Sequence, residues 1–284
     1  MNEIDFTPKA RKAAVIVAAV FGLFGIFVVP ILARNTFNTL AGKLVRLMVE
    51  DPHFEMAPMM LAIWFVAMLG ITVAASATLL VTVYPLWKGY SWAWPVALSC
   101  ISFPTIFAVI EILPYIVHIG SPPPTVIILL VGLAAYWTIL LLKKGERGEK
   151  VSRFFAFTFL GVVAGHINVL TMHGFKGILD RPESPLFTDL DHAIYGVEAP
   201  MNFIAMILCI IAIPLLAARK ESGWWLGVIA GSVVVVANLP THFIRMNTSD
   251  FIVATLLGAG LIVSLTIPAS RKALLGETET GPAE

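Results

Sequence analysis

The sequence has few charged residues. Asp, Glu, Lys and Arg make up only 13% of its 284 residues, against about 25% in ordinary soluble domains. Hydrophobic residues make up 58% and the mean hydropathy is +0.87, so the chain is expected to lie in a membrane, in contact with lipid. The formal net charge of +1 gives no electrostatic basis for binding nucleic acid, and no such partner is expected.

Cysteine and the short catalytic motifs are also scarce. The two cysteines, Cys100 and Cys209, lie inside apolar runs, where a thiol behaves as a small apolar side chain. No CxxC, HExxH or HxxxH pattern occurs, so no motif specifies a particular metal. No Ser-His-Asp or GxSxG pattern indicates a hydrolase.

Long apolar runs recur along the whole chain, and about 20 apolar residues suffice to cross a bilayer core of about 30 Å. We therefore predict an all-α, polytopic membrane bundle that forms a single domain over residues 1–284, with about eight spans. These spans are predicted near 13–33, 58–84, 92–118, 124–142, 152–173, 199–218, 223–243 and 250–268. The first run follows basic residues but lacks a small-x-small cleavage signature, so it is predicted to be retained as a span.

The distribution of Lys and Arg predicts the topology. Basic residues in the N-terminal segment, near Lys88, in 143–153, in 218–223 and in the C-terminal tail would share one side. The positive-inside rule makes that side cytoplasmic, so both termini of a multi-pass plasma-membrane protein are expected there. The outer loops are then 34–57 and 174–198; the first is an exception to the charge bias and has the apolar spacing of an amphipathic helix.

All six histidines fall in the half of the topology predicted to be extracytoplasmic: His53, His118, His166, His173, His192 and His242. His166 and His173 are seven residues apart on one predicted helix, so they lie on one face about 10 Å from each other. Glu111 and His118 have the same spacing on another span. Polar side chains are costly inside a membrane, so this region is the candidate functional site.

Imidazole and carboxylate groups from several helices are typical ligands of transition metals. The candidate metal ligands, for copper or iron, are His166, His173, His242 and Glu111. A b-type haem needs one axial histidine from each of two facing helices, and His166 with His242 is the candidate pair. Further candidate site residues are Asn168, Asn202, Asn238, His118, His192, Asp189, Asp191 and His53. A structural interhelical hydrogen bond is the alternative role for His166.

The segment GHINVLTMHGF is similar to the His-x-Asn-x-Leu stretch of small relatives of haem-copper oxidase subunit I. The resemblance covers about a dozen residues and implies that His166 is a haem ligand near the outer surface. The chain lacks the closely spaced His-His pair that would form the copper centre of that family.

These observations favour a membrane subunit of a redox or metal-dependent complex, such as an oxidoreductase or monooxygenase subunit. It would contact other membrane subunits, and an extracytoplasmic partner could dock on loop 174–198. Two alternatives stay open. One is a transporter of a small solute or protons that uses Glu111 and the histidines, and the other is a scaffold subunit without catalytic activity.

Overall fold

The computed structural model describes residues 6–180, 190–246 and 248–276, with the side chains of Asp191 and His192 left out. These ranges contain ten α-helices, one 3-10 turn and no strand. The helices are α1 Pro8–Phe27, α2 Val29–Glu50, α3 Ala57–Lys88, α4 Ala93–Ile119, α5 Val126–Leu142, α6 Arg147–Leu179, α7 Leu190–Ala217, α8 Glu221–Arg245, α9 Asp250–Thr266 and α10 Pro268–Leu275. The prediction of an all-α polytopic membrane bundle is confirmed.

All eight predicted spans are mainly helical, but the first is divided between two helices, and the helices differ in length. Six of those in the described ranges are long and apolar enough to cross a membrane: α1, α3, α4, α6, α7 and α8. The pair α9 and α10, bent by 70°, is a candidate for a seventh crossing. Helix α5 has 17 residues, which makes it about 26 Å long and slightly shorter than a bilayer core.

The first predicted span, 13–33, is divided between two helices. Helix α1 ends at Phe27, and α2 begins after the single residue Val28, one position before Pro30. The carbonyl of Val28 accepts bonds from the N–H groups of Ile31 and Leu32, both at 3.1 Å. Helical hydrogen bonding therefore passes almost unbroken from α1 into α2.

Helix α2 contains the amphipathic segment of loop 34–57. Its Leu40 and Leu44 are buried with Leu61 of α3 and Tyr115 of α4. Because the apolar face is covered by these two helices, α2 is part of the bundle and does not lie alone on its surface.

The two ends of the bundle differ in chemistry. At the end that we call the basic end, Arg11 lies beside Gly89, Arg153 donates to the Lys144 carbonyl at 2.9 Å, and Arg271 pairs with Glu221. At the opposite end, which we call the histidine end, the turn Pro52–Phe54 packs against the ends of α4 and α6. The assignment of these ends to the two sides of the membrane stays a prediction.

Candidate functional site

A cavity of about 330 Å³ lies at the histidine end, between α3, α4, α6 and the start of α9. We call it the histidine pocket, because His118, His166 and His173 line it. Its other polar lining residues are Lys176, Thr248 and Asp250. Most of its other walls are apolar, and include Leu61, Leu113, Val169 and Leu170. The pocket thus combines a few polar groups with an apolar interior, as small-molecule sites do.

His166 is held by the backbone at the start of α9. Its Nε2 atom lies 3.0 Å from the carbonyl oxygen of Asp250. Because a carbonyl can only accept, Nε2 is the donor in this contact, and in the neutral tautomer that it selects Nδ1 has a lone pair. The half-buried ring therefore has one nitrogen left to accept a hydrogen bond or to coordinate a metal.

His173 lies two turns further along α6, where it lines the pocket and is exposed at the surface of the bundle. Its Nε2 is 3.3 Å from the hydroxyl of Tyr195 on α7, and the two rings meet edge to face. The guanidinium of Arg245 on α8 lies 4.6 Å from the centre of the Tyr195 ring. These contacts connect one wall of the pocket to the neighbouring helices.

The turn formed by residues 51–56 covers one side of the pocket. Phe54 lines the pocket and meets His118 edge to face, with ring centres 5.5 Å apart. The ammonium of Lys176 lies 5.1 Å from the centre of the Phe54 ring and also donates to the His53 carbonyl. Asp180 accepts the Met56 N–H at 3.0 Å. Lys176 and Asp180 therefore fasten the turn to the end of α6.

Neither Lys176, Asp180 nor Asp250 was among the residues predicted for the site. Lys176 and Asp180 are four residues apart on α6 and form an ion pair. A Lys and an Asp four residues apart at the end of an apolar run are a sequence pattern that could have indicated this ion pair. Asp250 gave no such signal, because its backbone carbonyl, and not its carboxylate, contacts His166.

Glu111 lies outside the lining of the histidine pocket, although His118, one heptad later on α4, is part of that lining. Its side chain is 1% exposed, and neither oxygen makes a hydrogen bond of normal geometry to a described residue. The neighbouring polar group is the hydroxyl of Thr125, which lies 3.5 Å from that of Thr36. Glu111 is therefore directed towards α2 and α5.

Two predicted site residues, Asn202 and Asn238, meet between α7 and α8. Asn238 donates to the Asn202 carbonyl oxygen at 2.8 Å, and Asn202 donates back at 3.2 Å. Asn202 also donates to Oε1 of Glu198, whose Oε2 has no partner among the described residues and faces Gly174 of α6. This buried network lies outside the pocket lining and joins α7 to α8.

The remaining predicted residues lie apart from the pocket. Asn168 accepts a 2.7 Å bond from Trp64 and so joins α6 to α3. His242 is absent from the pocket lining, and its buried Nδ1 has no partner among the described residues. His53 is exposed on the covering turn. Asp189 and the side chains of Asp191 and His192 lie outside the described residues.

The predicted metal ligands do not form one cluster. Within the described parts of the chain, no group of three or more His, Cys, Asp or Glu side chains is placed to hold a metal ion. His166 and His173 share the histidine pocket, whereas His242 and Glu111 do not line it. Of the predicted haem pair, His166 lines the histidine pocket and His242 does not.

No protein-family model matches this chain, and no curated protein or solved structure is significantly similar to it.

Proposed function

We propose that this chain is the membrane subunit of a redox assembly and that the histidine pocket binds the head of a quinone-type electron carrier. The observation that carries this proposal is the convergence of three imidazoles and one ammonium on a cavity that is otherwise mainly apolar. Its volume of about 330 Å³ is near the lower limit for small-molecule sites. One substituted ring with the first part of its side chain suits that space.

The polar groups match both oxidation states of such a ring. The hydroxyl of a quinol donates to an acceptor, and Nδ1 of His166 keeps a lone pair for that purpose. The carbonyl of a quinone needs a donor. The ammonium of Lys176 uses two of its three N–H bonds for the His53 carbonyl and Asp180, which leaves the third for a ligand.

The apolar side of the pocket suits a lipid-soluble ligand. Val117 both lines the pocket and is 75% exposed on the outside of α4. In a membrane bundle, such an exposed apolar side chain faces acyl chains. Val117 thus links the pocket to the outer surface of the bundle, and on this proposal an isoprenoid chain would pass beside it.

The second candidate ligand is a transition metal (copper or iron) or a b-type haem. The orientation of the His166 ring supports this candidate. A metal-binding histidine commonly donates its other ring N–H to a carbonyl, as Nε2 of His166 does to Asp250. His118 on α4 lines the same pocket and would supply a ligand from a second helix. A haem macrocycle needs more room than one ring, so the cavity volume favours the quinone.

Analysis of the protein as isolated, before detergent exchange, distinguishes these candidates. Organic extraction is expected to yield a quinone in near-stoichiometric amount, with no Soret band and no stoichiometric copper or iron. A Soret band or bound metal would establish the second candidate. If extraction yields no quinone and the purified protein does not bind a short-chain benzoquinone, the quinone proposal is wrong.

A further inference from the structure

A second cavity, of about 500 Å³, lies at the basic end between the end of α5 and the start of α6. Two cationic side chains, Arg147 and Lys150, line it. Leu141, Val151 and Phe155 line it as well, which places an apolar wall next to these cations. We call this site the α5–α6 groove.

The cations of the groove are not neutralised by the nearby acids. Glu149 is engaged by Arg153 at 2.9 Å, and Arg153 also donates to the Lys144 carbonyl. Arg147 and Lys150 form no ion pair with a described residue. Glu146, which precedes α6, is exposed and makes no capping bond to the helix. The partial positive charge of the α6 N-terminus adds to that of the two side chains.

The apolar wall faces outward. Leu141, Val151 and Phe155 are 37%, 48% and 50% exposed. Because they lie on membrane helices, they are exposed to lipid rather than packed in the bundle. Phe154 lines the groove from the inner side, where its ring lies 5.3 Å from that of Trp137. The groove is therefore cationic near the start of α6, at Arg147 and Lys150, and apolar further along the helix, at Val151 and Phe155.

We infer that the α5–α6 groove binds an anionic phospholipid. The phosphate lies between Arg147 and Lys150, where guanidinium and ammonium groups both donate to its oxygens. An acyl chain follows Val151 and Phe155. A soluble anion would gain nothing from the apolar wall, and the cationic head of a zwitterionic lipid would be repelled by the two basic side chains.

Native mass spectrometry of the full chain in detergent tests this inference, with phosphatidylglycerol or phosphatidylcholine added. We expect a bound phosphatidylglycerol that survives activation and much less phosphatidylcholine. The double substitution Arg147→Gln with Lys150→Gln should weaken phosphatidylglycerol binding roughly 30-fold, since each basic residue near a membrane surface contributes about one factor of five. Phe155→Ser should weaken it through the apolar wall alone.

The matched control is Lys9→Gln with Lys220→Gln, which removes the same charge from exposed positions outside the groove. It should leave phosphatidylglycerol binding unchanged. An equal loss in this control would show a general effect of charge and overturn the site. Equal retention of phosphatidylcholine, or full displacement of the lipid by millimolar inorganic phosphate, would overturn the lipid assignment. The quinone proposal is unaffected by either outcome, because the two sites lie at opposite ends of the bundle.

Discussion

Asn202 of α7 and Asn238 of α8 exchange two amide hydrogen bonds, at 2.8 and 3.2 Å, with both side chains fully buried. In lipid, neither amide could find water if its partner were lost. The pair therefore fixes the rotation of α7 relative to α8, and Glu198 adds a third member to the network.

Replacing Asn238 with Leu should destabilise the protein by about 1–2 kcal/mol, because Asn202 loses both of the hydrogen bonds that it exchanges with Asn238. Thermal unfolding in detergent measures the change. Ser232→Ala on the same helix is the control, since Ser232 is exposed and its hydroxyl donates to the Val228 carbonyl of its own helix. Equal effects of the two substitutions would show that the amide pair contributes nothing special.

His166→Ala is expected to weaken binding of a short-chain benzoquinol about tenfold, because the acceptor Nδ1 is lost. Equilibrium binding to the purified protein checks this. His53→Ala is the matched control, since His53 is exposed and outside the pocket lining. If His166→Ala lowers only the melting temperature and leaves affinity unchanged, His166 has the structural role of a scaffold residue.

Lys176→Met should loosen the turn of residues 51–56, because it removes the bond to the His53 carbonyl and the ammonium above Phe54. Faster proteolysis of that turn and faster quinone dissociation are the expected results. Asp180→Asn keeps an acceptor for the Met56 N–H and should have the smaller effect. If the turn is cleaved at the same rate in Lys176→Met and in the unaltered protein, Lys176 does not hold the turn against α6.

Glu111→Gln separates a binding subunit from a transporter. Glu111 lies outside the lining of the histidine pocket, so quinone affinity should stay within about twofold of that of the unaltered protein. Proton or solute flux in proteoliposomes should also be unchanged. A flux that the unaltered protein supports and Glu111→Gln abolishes would establish the transporter alternative.

Gly174→Ala should destabilise the bundle by about 1–3 kcal/mol through overpacking. A β-carbon there would lie 2.6 Å from the β-carbon of Ala199 and 2.8 Å from Oε2 of Glu198. Gly161→Ala on the same helix is the control, because its β-carbon meets open space. That control should be neutral or stabilising by up to about 1 kcal/mol. Thermal unfolding of both variants in the same detergent measures the change in stability. If Gly174→Ala is as stable as Gly161→Ala, α6 and α7 can move apart to accommodate the added carbon.

The helix positions were largely predictable from the sequence. Span 92–118 differs from α4 by one residue at each end, since apolar runs and their polar boundaries are local properties. The division of the first span at Val28 was missed, because the uniformly apolar run hides the break. Helix α2 also continues past Arg34, the charged residue at which the predicted span ended.

The candidate site was predictable only in part. The seven-residue spacing predicted that His166 and His173 lie on one face of a helix, and both line the histidine pocket. Residues on different helices were harder to relate, since a seven-residue spacing does not specify which neighbour the helix face contacts. Spacing was also insufficient within one helix: Glu111 and His118 lie seven residues apart on α4, but only His118 lines the pocket.

The sequence by itself determined that this is a helical membrane protein and where most of its helices lie. A long apolar run favours lipid and a charged residue favours water, and both preferences depend only on the local segment. It also indicated that the histidines gather towards one end of the spans. Only the tertiary structure decided which side chains meet, since helix rotation depends on close packing between residues distant in the chain. That packing brings the Asp250 carbonyl to His166 and Lys176 to the covering turn, and it leaves His242 and Glu111 outside the pocket lining.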